Sequence, residues 1–402
     1  MPLVSRSKIL PLLPILFFFV ALAAKAETRE IDLATEELEA WEAFLSEVGL
    51  AEPTEIPQAD LRLSTLIRDE SIRFFILGGY TNNSLLSGRR VPASFFGGGA
   101  EAFVWQTDGL HFFTIWALAE RRRFASDEDL EDEWTAALHI RYEHALPLGG
   151  WILEGGVSAT RQAFDAADTA LPGEATVDFL GVVMPRAAFT WKRVFGFGQE
   201  LEIGLASEHA LYQEIDYNNS QNGFLLRLRT PILPQTTAAA GWAVRDIVFD
   251  DEPPRSVIGF PLSSERLRFV RYEADFLLQH NRTWVAEHVW QLRFFGSWTQ
   301  ANSSPWHGFR RNGVEFRGRS TLARWRLIYR GSVSDVAYRE RRAGVGSEDR
   351  LQQRRHAGAL ALERTIGSWQ IRGELEHIRF SSNDPGSSYR AQQYTATLAR
   401  EF

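Results

Sequence analysis

Trp134-Thr135-Ala136-Ala137-Leu138-His139-Ile140-Arg141-Tyr142-Glu143 decides the fold class. Trp134, Ala136, Leu138, Ile140 and Tyr142 alternate with Thr135, Ala137, His139, Arg141 and Glu143. Successive side chains of a strand point to opposite faces, so a period of two makes a strand with one apolar and one largely polar face. The same period runs from Ser71 to the last residue. Trp284, Ala286, His288, Trp290, Leu292 and Phe294 alternate with Glu287, Gln291 and Arg293, and Ala323, Trp325, Leu327 and Tyr329 with Arg324, Arg326, Ile328 and Arg330.

The connectors between these runs alternate in length. Short ones fall at Thr107-Asp108-Gly109, Pro147 to Gly150, Gly196 to Gln199, Pro231 to Gln235, Asn281-Arg282-Thr283, near Gly318, and at Ile366-Gly367-Ser368. Longer polar ones fall near 82–94, 122–133, 163–175, 210–222, 250–265, 299–312, 339–353 and 381–389. Seven short and eight long connectors imply about sixteen strands. An even number of antiparallel strands, with short turns at one end and longer loops at the other, is the layout of a transmembrane β-barrel. A β-sandwich also alternates, but globular strands average about 5 to 6 residues and a tilted membrane strand needs about 9 to 11. Many runs here reach roughly 10 to 14 residues, long enough for a membrane strand and well beyond the globular average. Trp105, Trp116, Trp134, Trp151, Trp191, Trp242, Trp284, Trp298 and Trp369 lie at or near strand ends, where a barrel carries its aromatic girdles.

Residues 1–26 read as an export signal. Arg6 and Lys8 precede an apolar run from Ile9 to Ala23, and Ala24-Lys25-Ala26 offers small residues at the cleavage positions. Residues 27–70 then form an acidic helix and linker, and 71–402 the barrel. The 402-residue chain carries 44 Lys+Arg against 51 Asp+Glu, a net of −7, which argues against a nucleic-acid partner. Three of those bases, Arg6, Lys8 and Lys25, fall in the signal, leaving −10. Residues 30–61 alone hold ten acids and no base, so the rest of the chain is formally neutral. Within that stretch Thr35 to Val48 has the spacing of a helix: Thr35 caps it, Glu36 and Glu37 suit its positive end, Leu38, Trp41, Leu45 and Val48 share a face, and Gly49 ends it. Pro53 and Pro57 enforce an extended linker.

The chain ends Tyr394-Thr395-Ala396-Thr397-Leu398-Ala399-Arg400-Glu401-Phe402. This segment resembles the terminal strand of Gram-negative outer-membrane β-barrel proteins, porin-like in kind. The resemblance implies that Tyr394, Ala396, Leu398 and Phe402 form the signal read by the barrel assembly machinery. Arg400 departs from the pattern, which expects an apolar residue there; its long stem can snorkel to the membrane edge. The resemblance further implies an outer-membrane location with outer-membrane lipid as a partner and both termini in the periplasm.

Catalytic patterns are missing from the sequence. Outer-membrane phospholipases need Ser, His and Asn, and no His-x-Ser-Asn-Gly string occurs; the Asp and His-Asp pairs of barrel proteases have no counterpart beyond Asp250-Asp251. Zero cysteines exclude thiolate metal sites, disulfides and cysteine nucleophiles. Of nine histidines the closest in sequence, His139 and His144, point to opposite strand faces and cannot share a metal. Gly97-Gly98-Gly99 precedes no helix, so it is read as strand glycines that bend the wall or allow close packing and not as a phosphate loop. The expectation is no catalytic site, no cofactor and no enzyme.

With the apolar face outward, the candidate pore-lining residues of the C-terminal half are Arg271, Arg293, Arg317, Arg319, Arg324, Arg326, Arg330, Arg372, Glu273, Asp275, Glu287, Glu315, Glu374 and Glu376. Two readings fit them: neighbouring ion pairs that stiffen a wet wall, or opposed patches that set a transverse field. The leading expectation is a channel for passive or selective diffusion of small hydrophilic solutes. The alternative is a non-enzymatic outlet or assembly component of a periplasmic export system, and the third a barrel enzyme acting on lipid or peptide. The acidic helix either restricts the periplasmic mouth or docks on a periplasmic protein through Leu38, Trp41, Phe44 and Leu45.

Overall fold

The computed structural model describes residues 67–402, apart from 85–90, 126–131, 166–176, 213–217, 251–265, 284–286, 302–307, 344–346 and 385–386. The export signal, the acidic helix with its docking face, and Trp284 lie outside the described residues.

Sixteen antiparallel strands form one closed barrel. In chain order they are β1 (Ile67–Thr81), β2 (Ala93–Thr107), β3 (His111–Ala125), β4 (Glu133–Leu146), β5 (Gly149–Asp165), β6 (Val177–Val194), β7 (Glu200–Tyr212) and β8 (Asn219–Leu233). The second half comprises β9 (Thr236–Phe249), β10 (Arg268–Thr283), β11 (Glu287–Ala301), β12 (Phe309–Leu322), β13 (Trp325–Arg342), β14 (Arg350–Ile366), β15 (Trp369–Ser382) and β16 (Tyr389–Glu401). Each strand pairs with its sequence neighbours, and β1 pairs with β16 from Arg73 opposite Glu401 to Thr81 opposite Gln393. Closure leaves no edge, so the barrel backbone is hydrogen-bonded within the wall, as a lipid interior demands.

The side-chain alternation is the inverse of a soluble sandwich. Phe74, Ile76, Phe224, Leu226, Leu228, Leu360, Leu362, Ile371 and Leu375 are among forty large apolar side chains that stand exposed among the described residues. Full burial of such a side chain is worth about 1.5–3 kcal/mol, so exposing this set to water would forfeit tens of kcal/mol. Lipid removes that cost. The buried apolar clusters instead sit inside the barrel toward its long-loop end, for example Ile247, Phe249, Leu267 and Phe269, and Phe309, Val336, Tyr338 and Leu351.

Both chain ends of the barrel lie at the short-turn end, because Ile67 pairs with Thr107 and Arg73 with Glu401. The turn after β2 shows how little chain such a reversal needs: Asp108 accepts from the backbone N–H groups of His111 (2.8 Å) and Leu110 (3.0 Å), while Gly109 takes φ +90°. Those two donors, His111 first, hold the Asp108 carboxyl below its ordinary pKa.

Three sequence expectations shift. β1 begins at Ile67, four residues before the expected barrel start. Asn281, Arg282 and Thr283 are strand and not the expected turn, with Asn281 opposite Val289 and Thr283 opposite Glu287. Gly318 lies within β12 between Trp290 and Tyr329; a Cβ there would meet the Tyr329 ring at 2.1 Å, so the glycine makes room for an aromatic and does not make a turn. The reversal comes instead at Ala323 and Arg324, where Ala323 adopts φ +53°, a conformation its sequence gives no reason to expect.

Candidate functional site

Contacts that skip a strand mark the concave face. Arg330 on β13 reaches Glu374 and Glu376 on β15, both at 3.5 Å; Arg227 on β8 reaches Asp275 on β10 at 3.9 Å; and Arg73 on β1 donates to Gln370 on β15 at 2.9 Å. Side chains two strands apart meet only inside the wall. With this parity, thirteen of the fourteen pore-lining candidates face the lumen. Arg324 does not stand on the wall: it is exposed in the two-residue turn at the rim.

The lumen charges are paired. Arg326 bonds Glu363 (2.9 Å), Arg372 bonds Glu374 (2.7 Å), Arg319 bonds Glu287 (3.2 Å), Arg293 bonds Asp275 (3.2 Å), Arg245 lies 3.5 Å from Glu273, and Arg317 pairs with Glu315. Arg317 and Arg330 stand directly opposite each other in register. Like charges so placed repel, and Glu315, Glu374 and Glu376 offset the repulsion. The C-terminal wall is therefore a mosaic of adjacent opposite charges.

Sequence reasoning confined itself to that half and missed the rest of the circuit. Glu154 and Arg141 (3.4 Å), Arg141 and Glu143 (3.0 Å), Glu143 and Lys192 (4.0 Å), Lys192 and Glu202 (3.4 Å), Glu202 and Arg227 (3.9 Å), and Arg227 and Asp275 (3.9 Å) link in one chain to Arg293. It runs around the wall from β4 and β5 to β11. The parity rule applied to the N-terminal half, together with the isolated Lys192, carried this signal. A cavity of about 480 Å³ lies against the network, lined by Arg186, Arg227, Arg245, Arg271, Arg293, Arg311 and Arg355 facing Glu154, Glu208, Glu273, Asp275 and Glu315. Such a wall presents polar atoms of both signs to a passing solute in water.

A second sector of the lumen is aromatic. Glu101 pairs with Arg73 and accepts from Trp116 Nε1 at 2.8 Å, which fixes Trp116 on the inner face. The pairing of Phe103 with Trp116, and of Trp105 with Thr114, places Phe103 and Trp105 beside it. Trp105 and Trp116 are therefore not girdle residues, a correction to the sequence reading; strand-end position does not specify which face a tryptophan occupies. Trp134, Trp151, Trp191, Trp298 and Trp369 do face outward. On the outer face Arg400 lies over the Phe402 ring at 4.6 Å and the Trp369 ring at 5.4 Å, so the departure from the terminal pattern is covered by aromatic faces at the rim. Tyr394, Leu398 and Phe402 are exposed on that face, and Phe402 exchanges backbone hydrogen bonds with Ile72 at 3.0 and 3.4 Å.

No metal cluster of three or more His, Asp or Glu occurs among the described residues. Cross-strand pairing does bring together two histidines distant in sequence: His111 and His144 stack with Nδ1 atoms 3.2 Å apart, and His111 Nδ1 lies 2.5 Å from the Tyr142 hydroxyl. They sit on the outer face near the short-turn rim, away from the lumen.

A closed sixteen-stranded barrel with an apolar exterior and a charged, water-accessible lumen defines a porin-like outer-membrane β-barrel. Among solved structures, the chain is similar to the Pseudomonas aeruginosa outer-membrane protein OccK1 (OpdK), at 12% identity and TM-score 0.43, covering 83% of this chain and 99% of that one. It is also similar to OccK2 (OpdF) of the same organism, solved in complex with glucuronate, at 11% identity and TM-score 0.40, covering 83% and 98%. The trimeric Vibrio cholerae outer-membrane protein OmpT matches at 9% identity and TM-score 0.43, covering 84% and 100%. No family model and no curated protein sequence matches the chain.

Proposed function

We propose that the protein is a channel for passive or selective diffusion of small hydrophilic solutes, with both termini and the short turns in the periplasm. The observation that carries this reading is the continuous chain of ion pairs along the lumen wall from β4 to β11, beside an internal cavity of about 480 Å³. Paired Arg and Glu side chains keep the wall wet and offer a solute hydrogen bonds in exchange for its water, while neighbouring opposite charges keep any single site from holding it long. Swelling of proteoliposomes in isotonic sugar or amino-acid solutions tests this directly. Swelling faster than in protein-free vesicles, with rates falling as solute size rises, is the expected result; rates equal to protein-free vesicles for every solute contradict it.

A further inference from the structure

The outer rim at the short-turn end carries a polar cluster that neither the lumen network nor the apolar exterior uses. His111, the first residue of β3, stands directly opposite His144 on β4, and Tyr142 shares the face of His144 two positions away. Trp151 on β5 stands opposite His144 on its other side. The four rings hold one another. Ring centroids lie 4.7 Å apart for His111 and His144 and 5.9 Å for His111 and Tyr142, while Trp151 is 5.2 Å from Tyr142 and 5.7 Å from His144. Both imidazoles are therefore oriented by their neighbours before any ligand arrives. Water reaches this rim, because Leu110 and Leu148 of the two adjoining turns are exposed and the histidines are only half-buried.

We propose that His111 Nδ1 and His144 Nδ1 chelate a divalent cation of the imidazole-binding class, Zn²⁺ or Cu²⁺, with the Tyr142 hydroxyl as a neighbouring oxygen. The two nitrogens are 3.2 Å apart. At that spacing both reach one ion at the usual metal–imidazole distance of about 2.0–2.1 Å, with an angle of about 100° at the metal, close to tetrahedral. Such a chelate also sets the ring centroids about 5 Å apart, and those of His111 and His144 are at 4.7 Å. The Tyr142 oxygen, 2.5 Å from His111 Nδ1, lies beside the same point. Protonation decides the sign of the ligand. Two Nδ1 atoms in contact cannot both carry hydrogen, so one is a bare acceptor and the pair shares a single proton. A cation in place of that proton uses both lone pairs, and the displaced hydrogen re-enters through water at Nε2 of the same ring, so both imidazoles bind neutral. An anionic lipid headgroup needs both nitrogens protonated, which sets two like charges against each other. Asp108, held ionised by its backbone donors, lies within electrostatic reach of His111 and adds negative charge at this rim. Between the two turns the backbone supplies one hydrogen bond, from Ala145 N–H to the Leu110 carbonyl at 2.7 Å. A bound ion ties β3 to β4 at the same place, so it acts as a staple of the rim.

The test uses full-length, untagged protein in detergent, stripped with a chelator that is then removed, and titrated with Zn²⁺ or with Cu²⁺ by calorimetry. His111→Gln, His144→Gln and a control, His209→Gln, are compared, with folding of each checked by its faster migration unheated. The expected result is about one equivalent bound per chain, weakened more than about tenfold by either rim substitution and unchanged by the control. Tyr142→Phe should weaken it less. With Cu²⁺, electron paramagnetic resonance should show coupling to two nitrogens in the native protein and to one in each single rim variant, and Zn²⁺ should raise the temperature at which the native barrel loses its fast migration, with no such shift in His144→Gln. Absence of saturable binding, or binding equally strong in folded His111→Gln and His144→Gln, overturns the proposal. None of these readouts depends on conduction, so the result stands apart from the channel reading.

Discussion

Lys192 Nζ lies 3.4 Å from a Glu202 carboxylate oxygen on the adjacent strand, and the same ammonium reaches Glu200 at 3.7 Å and Glu143 at 4.0 Å. It is the only lysine beyond residue 25, and it sits at the node where the circuit crosses from β4 to β7. One cation shared among three carboxylates makes this the most acid-rich point of the lumen wall described above. A compact ammonium with three donors suits that role better than a planar fork, which matches one carboxylate at a time.

Replacing Lys192 with Met leaves three partly buried carboxylates facing the lumen without their shared cation. The expected consequences are a several-fold shift of ion preference toward cations, and a loss of about 1–2 kcal/mol of stability, reduced from the fully buried case by solvent screening. Lys192→Arg should restore the selectivity at least in part. Reversal potentials under a salt gradient check the first and the urea midpoint of heat-modifiable migration the second; unchanged values for both would show that the node is redundant.

Arg326 and Arg330 face the lumen while Arg324 occupies the rim turn. Arg326→Ala with Arg330→Ala removes two cations from beside Glu363, Glu374 and Glu376 while Arg372 stays on Glu374, and should move the reversal potential toward cations and lessen its dependence on salt, because screening acts on the field those charges create. Arg324→Ala should change neither. A shift from Arg324→Ala equal to that of the double variant would contradict the assigned positions.

Gly99 faces the Phe75 ring across the β1–β2 pair. A Cβ at Gly99 would lie 2.7 Å from that ring and 2.1 Å from the Ala119 carbonyl oxygen, whereas one at Gly373 meets nothing within 4 Å. Gly99→Val should therefore lower stability by about 1–3 kcal/mol, the usual cost of overpacking, and Gly373→Val should leave it nearly unchanged. Urea titrations of folded barrel compare the two; equal midpoints would mean that the wall yields at Gly99.

Deleting Phe402 removes the two backbone hydrogen bonds to Ile72 and the ring that covers Arg400, at the seam where the barrel closes. The expected outcome is a several-fold fall in heat-modifiable protein in outer-membrane fractions. Wild-type levels would show that the terminal residue serves neither closure nor assembly.

Much of this architecture was legible because the two faces of every strand face different solvents. That contrast writes a period of two into the sequence, and loop polarity then counted the strands. Turn positions were less legible where glycine served another purpose. Gly318 looked like punctuation but makes room for Tyr329, while the real reversal at Ala323 carries no turn residue. Tryptophan alone also misled, since Trp116 finds a hydrogen-bond acceptor in Glu101 inside the lumen as readily as others find an interface outside. The lumen circuit escaped because the parity rule was applied only to the C-terminal half, and because links such as Glu202–Arg227 and Arg227–Asp275 join different strands, as His111 and His144 do on the outer face. Pair identities depend on register, and register is a property of the folded sheet.

Single-channel recording in a planar bilayer tests the central claim most directly. Purified full-length protein should insert to give discrete, ohmic current steps. A folded, heat-modifiable barrel that inserts and passes no current would contradict the account of this lumen as a solute channel.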